Sequence, residues 1–326
     1  MNILLTGGTG YIGSHTAITI HKNNHNVILY DNLTNSREET LFKIKASLGL
    51  NLKLVIGDVL DTKTLEDTLK KYKINAVIHF AGLKSVDESI SYPKKYFENN
   101  VNGTLSLIKA MKAVKVKTLI FSSSATVYGE PKYLPIDEDH PKNPENPYGE
   151  SKLKVENILK SLSISDPSWK IVCLRYFNPI GSHENVDIGD NPIGNANNLF
   201  PIILKVLKKR IKILEIFGKD YDTKDGTGIR DYIYIMDLVE GHLSALNYLK
   251  SNSGWHDINL GTGIGYSVLE IINKFQSVNN VIIPFKYSPR RKGDVSESYA
   301  DVKKAKELLG WEARNSLDIM CKSVLK

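Results

Sequence analysis

Cysteine is scarce in this chain: Cys173 and Cys321 are the only two among 326 residues. Two widely separated thiols make neither a disulfide framework nor a thiolate metal cluster, so a reducing, cytoplasmic setting without a bound metal is expected. No run of about 20 apolar residues occurs, which excludes an ordinary membrane-spanning helix. The N-terminus lacks the basic-then-apolar layout of a secretory signal. HExxH and GxSxG are both absent, which removes the motif-borne routes to zinc peptidase and nucleophile-elbow chemistry. There is no internal repeat and no low-complexity tract. Charge is not scarce: 43 Lys and Arg against 36 Asp and Glu leave a formal net charge of +7. The cations are spread along the chain without a nucleic-acid motif, and their excess favours an anionic small substrate. The one dense basic stretch, KVLKKRIKIL at 205–214, alternates with apolar residues and reads as an amphipathic helix with a wet face.

Short apolar runs recur at 2–6 (NILLT), 26–30 (NVILY), 53–56 (KLVI), 76–80 (AVIHF), 118–123 (TLIFSS) and 170–176 (KIVCLRY). Helical periodicity fills the gaps, as in 94–114. Such alternation predicts an α/β fold, a Rossmann-type doubly wound parallel sheet with helices on both faces. Right-handed crossovers then put every strand's C-terminal end on one edge, where ligands bind. From about residue 177 polar loops dominate, at 182–198, 218–232 and 288–294. They predict a smaller mixed α/β substrate-binding domain rather than more sheet. The expected domains are 1–177 and 178–326, with segments around 231–250 packing back on the first.

The first strand runs into GGTGYIG at 7–13. Gly7 lets the backbone reverse, Gly10 admits a pyrophosphate close to the main chain, and Gly13 lets the next helix pack against the sheet. The helix N-terminus adds free N–H groups and a partial positive charge. The second strand ends at Asp31, where a carboxylate accepts both adenosine ribose hydroxyls and repels a 2′-phosphate, favouring NAD over NADP. Asp58, after the third strand, is placed either at the adenine edge or as a helix N-cap.

The fifth strand ends FSSSATVYG at 121–129, and PYGESK at 147–152 opens the following helix. Tyr148 and Lys152 then share one helical face, with Ser124 just beyond the strand edge. Oxidising an alcohol carbon requires a base for the hydroxyl proton. A phenol with an ordinary pKa of about 10 serves at neutral pH only if roughly 4 kcal/mol of extra stabilisation reaches its ionised form. A neighbouring ammonium supplies part of it, and a serine can hold and share the substrate proton. His79 reads as structural, and Ser122 and Ser123 as ties for the strand end.

GGTGYIGSHT, DNLTNS, VIHFAGLKSV, NNVNGTL, FSSSATVYG, PYGESK, LRYFNP, GNANNLFP, GTGIRDYI and PRRKGD, in this order, resemble the blocks of the extended short-chain dehydrogenase/reductases. The resemblance is to their UDP-galactose 4-epimerase family, whose members are also called UDP-glucose 4-epimerases, and it covers nearly the whole chain. It implies a resident NAD lined by Gly7, Gly10, Tyr11, Ile12, Gly13, Asp31, Asn32, Asn35, Ser36, Asp58, Val59, Phe80, Ala81, Gly82, Lys84, Asn99, Ser122, Tyr148, Lys152 and Tyr176. It implies a UDP-sugar held by Lys84, Ser124, Tyr148, Asn178, Asn197, Asn198, Leu199, Phe217, Arg230, Tyr232, Arg291, Asp294 and Ser298. The arginines suit a diphosphate and Asp294 suits ribose hydroxyls. The implied reaction inverts the sugar's C4 through a 4-keto intermediate, in galactose metabolism and nucleotide-sugar supply, by a homodimer pairing helices near 94–114 and 148–162.

Ser298 matches the family position that gates the sugar pocket, where a tyrosine restricts members to plain hexoses. A serine implies that UDP-N-acetylglucosamine and UDP-N-acetylgalactosamine are accepted too, provided that the neighbouring Tyr299 does not occupy that place. The chain ends at Lys326, short of the last stretch that many members carry. Other nucleotide-sugar epimerases, decarboxylases and dehydratases share much of the pattern, but dehydratases carry acidic residues where this chain has SSAT after the fifth strand. A non-catalytic NAD sensor on the same fold is the reading from a different class, and the presence of Ser124, Tyr148 and Lys152 together weighs against it.

Overall fold

The computed structural model describes residues 1–190, 193, 198–291 and 293–325. Seven parallel strands form the central sheet: β1 (Asn2–Thr6), β2 (Asn26–Asp31), β3 (Lys53–Ile56), β4 (Ala76–His79), β5 (Thr118–Ser124), β6 (Lys170–Tyr176) and, last in the chain, β10 (Gly254–Leu260). Their order is β10-β6-β5-β4-β1-β2-β3. The winding reverses between β1 and β4, which opens a crevice at their C-terminal ends. Side chains alternate across the sheet: Ile3 and Leu5 join one core while Leu4 joins the other. Both faces are therefore covered, which is why the inner strands β1, β2, β4, β5 and β6 read as continuous apolar runs.

On one face, α1 (Tyr11–Lys22) packs beside α9 (Ile235–Tyr248). The other face is covered by α3 (Thr62–Lys71), α6 (Gly103–Ala113) and α7 (Pro147–Ser165), through residues such as Leu65, Leu107 and Leu159. Three further helices complete this half: α2 (Glu39–Leu48), α4 (Val86–Ser91) and α5 (Pro93–Tyr96). The expected helix over 94–114 is interrupted, because Phe97–Asn102 forms a wider π turn between α5 and α6. Such turns recur at functional sites.

Beyond the sheet lie β7 (Asn178–Ile180), α8 (Leu199–Leu207), β8 (Leu214–Phe217), β9 (Ile229–Tyr234), β11 (Gly265–Ser267), α10 (Val268–Asn279), β12 (Phe285–Ser288), β13 (Glu297–Ser298), α11 (Lys303–Leu309) and α12 (Leu317–Val324). β9 pairs with β7, β11 and β13, and β8 pairs with β12.

Two expectations need correction. The second half does add to the main sheet: β10 extends it at the edge of β6. Its sequence, GWHDINL, does not look like a buried strand because its polar side chains are matched elsewhere. Asp257 pairs with Arg175 and Lys304, and Asn259 accepts from Tyr128. The basic stretch 205–214 is not one helix. Lys209 takes a left-handed φ of 55°, and the Arg210 N–H bonds the Lys205 carbonyl at 2.8 Å while the Lys209 N–H bonds that of Val206 at 2.9 Å. This paired closure ends the helix, and the chain turns into β8.

Cys173 and Cys321 are buried free thiols. Among the described residues no helix is long and apolar enough to cross a membrane, and no cluster of His, Cys, Asp and Glu could hold a metal ion.

Candidate active site

Gly10 stands at the N-cap of α1 and gives no side-chain cap, and the first turn carries no acidic residue. Its leading N–H groups therefore face the crevice without a side-chain partner at the cap, which is the layout that receives a phosphate. Gly7 has φ +67°, and a Cβ there would lie 2.7 Å from the Ala81 nitrogen; at Gly13 it would lie 2.3 Å from the Gly7 carbonyl oxygen. The loop folds this tightly only without side chains, and the cradle fits a dinucleotide pyrophosphate. Asp31, at the tip of β2, accepts from the Thr9 N–H (3.1 Å), the Leu33 N–H (2.9 Å) and the Ser36 hydroxyl (2.9 Å). Those bonds hold its carboxylate beside the cradle.

The Asp58 carboxylate accepts from the Asn32 amide at 2.9 Å and from the Leu60 N–H at 2.8 Å. It is not the N-cap of α3: Asp61 is, accepting from Lys63 and Thr64. Asn35 lies exposed on the loop after β2. Val59 turns its side chain into the core, where Gly103 fits against it. Tyr11 reaches from α1 to the Gly181 carbonyl at 2.7 Å, with Ile12 half-buried beside it. His79 is structural: Thr6 meets Nδ1 at 2.6 Å and Thr104 meets Nε2 at 3.0 Å.

Asn146 caps α7, accepting from the Gly149 N–H at 2.9 Å, and Pro147 occupies the first helical position, as the residue types dictate. A Cβ on Gly149 would lie 2.8 Å from the Thr126 carbonyl oxygen. The first turn of α7 thus rests directly on the short turn that follows Ser124, bringing Tyr148 to the end of β5. The Ser124 hydroxyl accepts from the Thr126 N–H (3.2 Å) and the Thr126 hydroxyl (3.0 Å). Its own proton is left to donate. Burial pushes the Tyr148 phenol up from its ordinary pKa, and a hydrogen bond with Ser124 pulls it back down.

Lys152 is 5% exposed. Its Nζ donates to the Ser122 carbonyl at 2.6 Å and lies 4.9 Å from the Phe121 ring centroid and 5.9 Å from that of Tyr148. Burial pushes its pKa down to about 8, with Glu156 acting in the opposite direction. The lysine stands near the phenol but is bonded to the strand carbonyl, a geometry the spacing alone did not reveal. Gly82 and Asn100 close this corner: a Cβ on Gly82 would lie 3.2 Å from Asn100 Oδ1 and 3.7 Å from Lys152 Nζ. Asn99, in the π turn, donates to Asn100 at 3.0 Å.

Tyr176 was expected from sequence; its partner His242 was not. His242 packs against the rings of Phe80 and Tyr176, at 5.0 and 5.3 Å. Its Nδ1 meets the Leu238 carbonyl at 2.8 Å, so Nδ1 carries the proton and Nε2 accepts from the Tyr176 hydroxyl at 2.5 Å. Burial lowers the imidazole pKa to about 4 and keeps it neutral.

A second cluster lies on β8, β9 and the loops beyond the sheet. Arg230 Nη2 stands 3.9 Å from Asp294, and the Arg291 guanidinium stacks 4.0 Å from the Phe217 ring centroid. Asn178 is exposed on β7, in register with Tyr232. Tyr232 itself is buried edge-on to Phe200. Lys84 and Asn198 both bind Asp190, each at 2.8 Å, an acid the sequence reading did not single out. Leu199 opens α8, and Asn197 lies outside the described residues. Ser298 is in register with Arg230, so the two share a face of the small sheet. The Tyr299 ring packs over Gly265 with Ile229, on the other face.

The family model described as GDP-mannose 4,6 dehydratase matches residues 4–324. A UDP-glucose 4-epimerase of Bacillus subtilis is 46% identical over 98% of this chain and 95% of its own length. Among solved structures, the UDP-glucose 4-epimerase of Bifidobacterium longum in complex with NAD+ and UDP is 45% identical, with a TM-score of 0.96 over 100% of this chain and 97% of that one. The enzyme of Stenotrophomonas maltophila, with bound NAD and formylated UDP-arabinopyranose, is 41% identical, with a TM-score of 0.97 over 99% of this chain and 96% of that one. On this full-length agreement in sequence and fold, the chain belongs to the UDP-glucose 4-epimerase family of the extended short-chain dehydrogenase/reductases.

Proposed function

We propose that this chain interconverts UDP-glucose and UDP-galactose by inverting C4 through a 4-keto sugar, with NAD as its cofactor. The observation that carries the reading is the convergence of Ser124, Tyr148 and Lys152 at the end of β5, beside the glycine cradle. A bound NAD would supply the hydride acceptor and donor for C4. Tyr148 removes the C4 hydroxyl proton and gives it back. Ser124, with its acceptor side filled by Thr126, donates to the oxygen that Tyr148 is deprotonating. Lys152, cationic below about pH 8, favours the phenolate. Gly7, Gly10 and Gly13 would seat the NAD pyrophosphate, and Asp31 would take its adenosine ribose. Arg230, Arg291 and Asp294 anchor the UDP so that the sugar alone turns between faces.

The turn after Ser124 offers Ala125 and Thr126 and no carboxylate, which supports epimerisation over elimination of water. Ser298 on the Arg230 face, with Tyr299 turned to the other, supports room for an acetamido group, so UDP-N-acetylglucosamine and UDP-N-acetylgalactosamine are interconverted as well. Residues 1–177, joined by α9 and β10, serve the cofactor, and the remainder serves the UDP-sugar. A homodimer through the helices near 94–114 and 148–162 is supported by the exposed Leu105 on the first of them. The free buried thiols suit the cytoplasm. Purified protein given UDP-galactose and no added reductant should yield UDP-glucose; no interconversion would reject the reading.

A further inference from the structure

The polar loop between β8 and β9 carries a tyrosine with no place in the mechanism above. Tyr221 is fixed from several sides. Its N–H bonds the Gly226 carbonyl at 3.1 Å, and its carbonyl accepts from the Thr223 N–H at 2.9 Å. The Arg290 guanidinium lies 4.1 Å from its ring centroid and is itself held by Asp220 at 2.9 Å. The residue is 6% exposed, and its hydroxyl has no hydrogen-bond partner among the described residues. Folding rarely leaves a buried hydroxyl in that condition, because it loses its bonds to water and gains none.

The Tyr221 ring lies against Gly218, where a Cβ would stand 2.3 Å from its Cε2. Gly218 directly follows Phe217, over whose ring the Arg291 guanidinium stacks at 4.0 Å. The phenol is thus set among the residues assigned to the UDP, and Asp294 and Arg230 are the first charged groups that act on it. Burial is the largest influence on it and pushes its pKa up, so at neutral pH it remains a donor.

We propose that the Tyr221 hydroxyl is a further nucleotide-binding group, which donates a hydrogen bond to a diphosphate oxygen of the bound UDP. The inference rests on the assignment of Arg230 and Asp294 to the UDP made above. A phosphoryl oxygen drawn in by Arg230 supplies the acceptor that the hydroxyl lacks. The oxygen is thus held unpaired in the free protein and paired in the complex, which concentrates its contribution in binding rather than in folding.

Tyr221→Phe removes that oxygen and leaves the ring under Arg290. Two measurements on the holoenzyme test the proposal: the melting temperature without nucleotide, and the Kd for UDP by titration calorimetry. The melting temperature should be unchanged or higher, because no bond is lost. The Kd should rise about tenfold or more, as expected for a hydrogen bond to a charged acceptor. NAD content should not change. A variant that binds UDP as tightly as the parent overturns the proposal. So does a clear fall in melting temperature, which would mean that the hydroxyl has a partner within the fold. Failure of the parent protein itself to bind UDP would overturn the nucleotide assignment beneath it.

Discussion

Lys152→Met keeps the length of the side chain and removes its charge. The ammonium lies 5.9 Å from the Tyr148 ring centroid. At an effective dielectric of about 20, that separation gives roughly 3 kcal/mol of attraction for an ionised phenol. This corresponds to about two pKa units, so the phenolate fraction near neutral pH should drop about a hundredfold. The pH dependence carries the sign. Burial lowers the lysine's own pKa to about 8: below that value the amine is cationic and helps, and above it the help is lost. The deficit of Lys152→Met relative to the parent should therefore be about a hundredfold near neutrality and shrink as pH rises through about 8. The assay is kcat/KM for UDP-galactose in both proteins across the neutral and alkaline range, with NAD content measured alongside. The NAD measurement matters because methionine also abandons the Ser122 carbonyl. A deficit that stays flat with pH would refute the electrostatic argument and leave the lysine a purely structural role.

Two other substitutions probe separate parts of the account. Ser298→Tyr, on the face shared with Arg230, should abolish turnover of UDP-N-acetylglucosamine while sparing UDP-galactose; equal loss of both would count against the pocket assignment. Arg175→Met should cost about 3–5 kcal/mol in denaturant unfolding, because it leaves the Glu156 carboxylate buried without its cation while Asp257 keeps Lys304. Arg175 is fully buried, with Nη2 2.7 Å from Glu156 and 2.8 Å from Asp257. A loss below about 1 kcal/mol, the range of exposed pairs, would contradict it.

The sequence made six of the seven sheet strands legible because each carries its apolar character locally, five of them largely buried and β3 half-exposed at the sheet edge. β10 escaped because its Asp257 and Asn259 are satisfied only by residues far away in the chain. The basic stretch misled because helical spacing says nothing about the left-handed turn at Lys209 that ends α8. Ser124, Tyr148 and Lys152 could be grouped because a strand end and a helix start bring them together within a short stretch of chain. The bond from Lys152 to the Ser122 carbonyl could not be read that way, since it depends on how α7 settles against β5. His242, Asp190 and Tyr221 gave no local signal. Their character comes from burial and from partners on other elements: the rings of Phe80 and Tyr176, the cations and amides around the crevice, and the Arg230–Asp294 pair.

The central claim is that the Tyr148 oxygen moves the C4 hydroxyl proton. Single-turnover conversion of UDP-galactose by NAD-loaded Tyr148→Phe tests it most directly. The account predicts a fall in rate of about 10²–10⁴-fold, the range for a lost acid–base group, with NAD still bound. A Tyr148→Phe protein that turns over at the parental rate would contradict it.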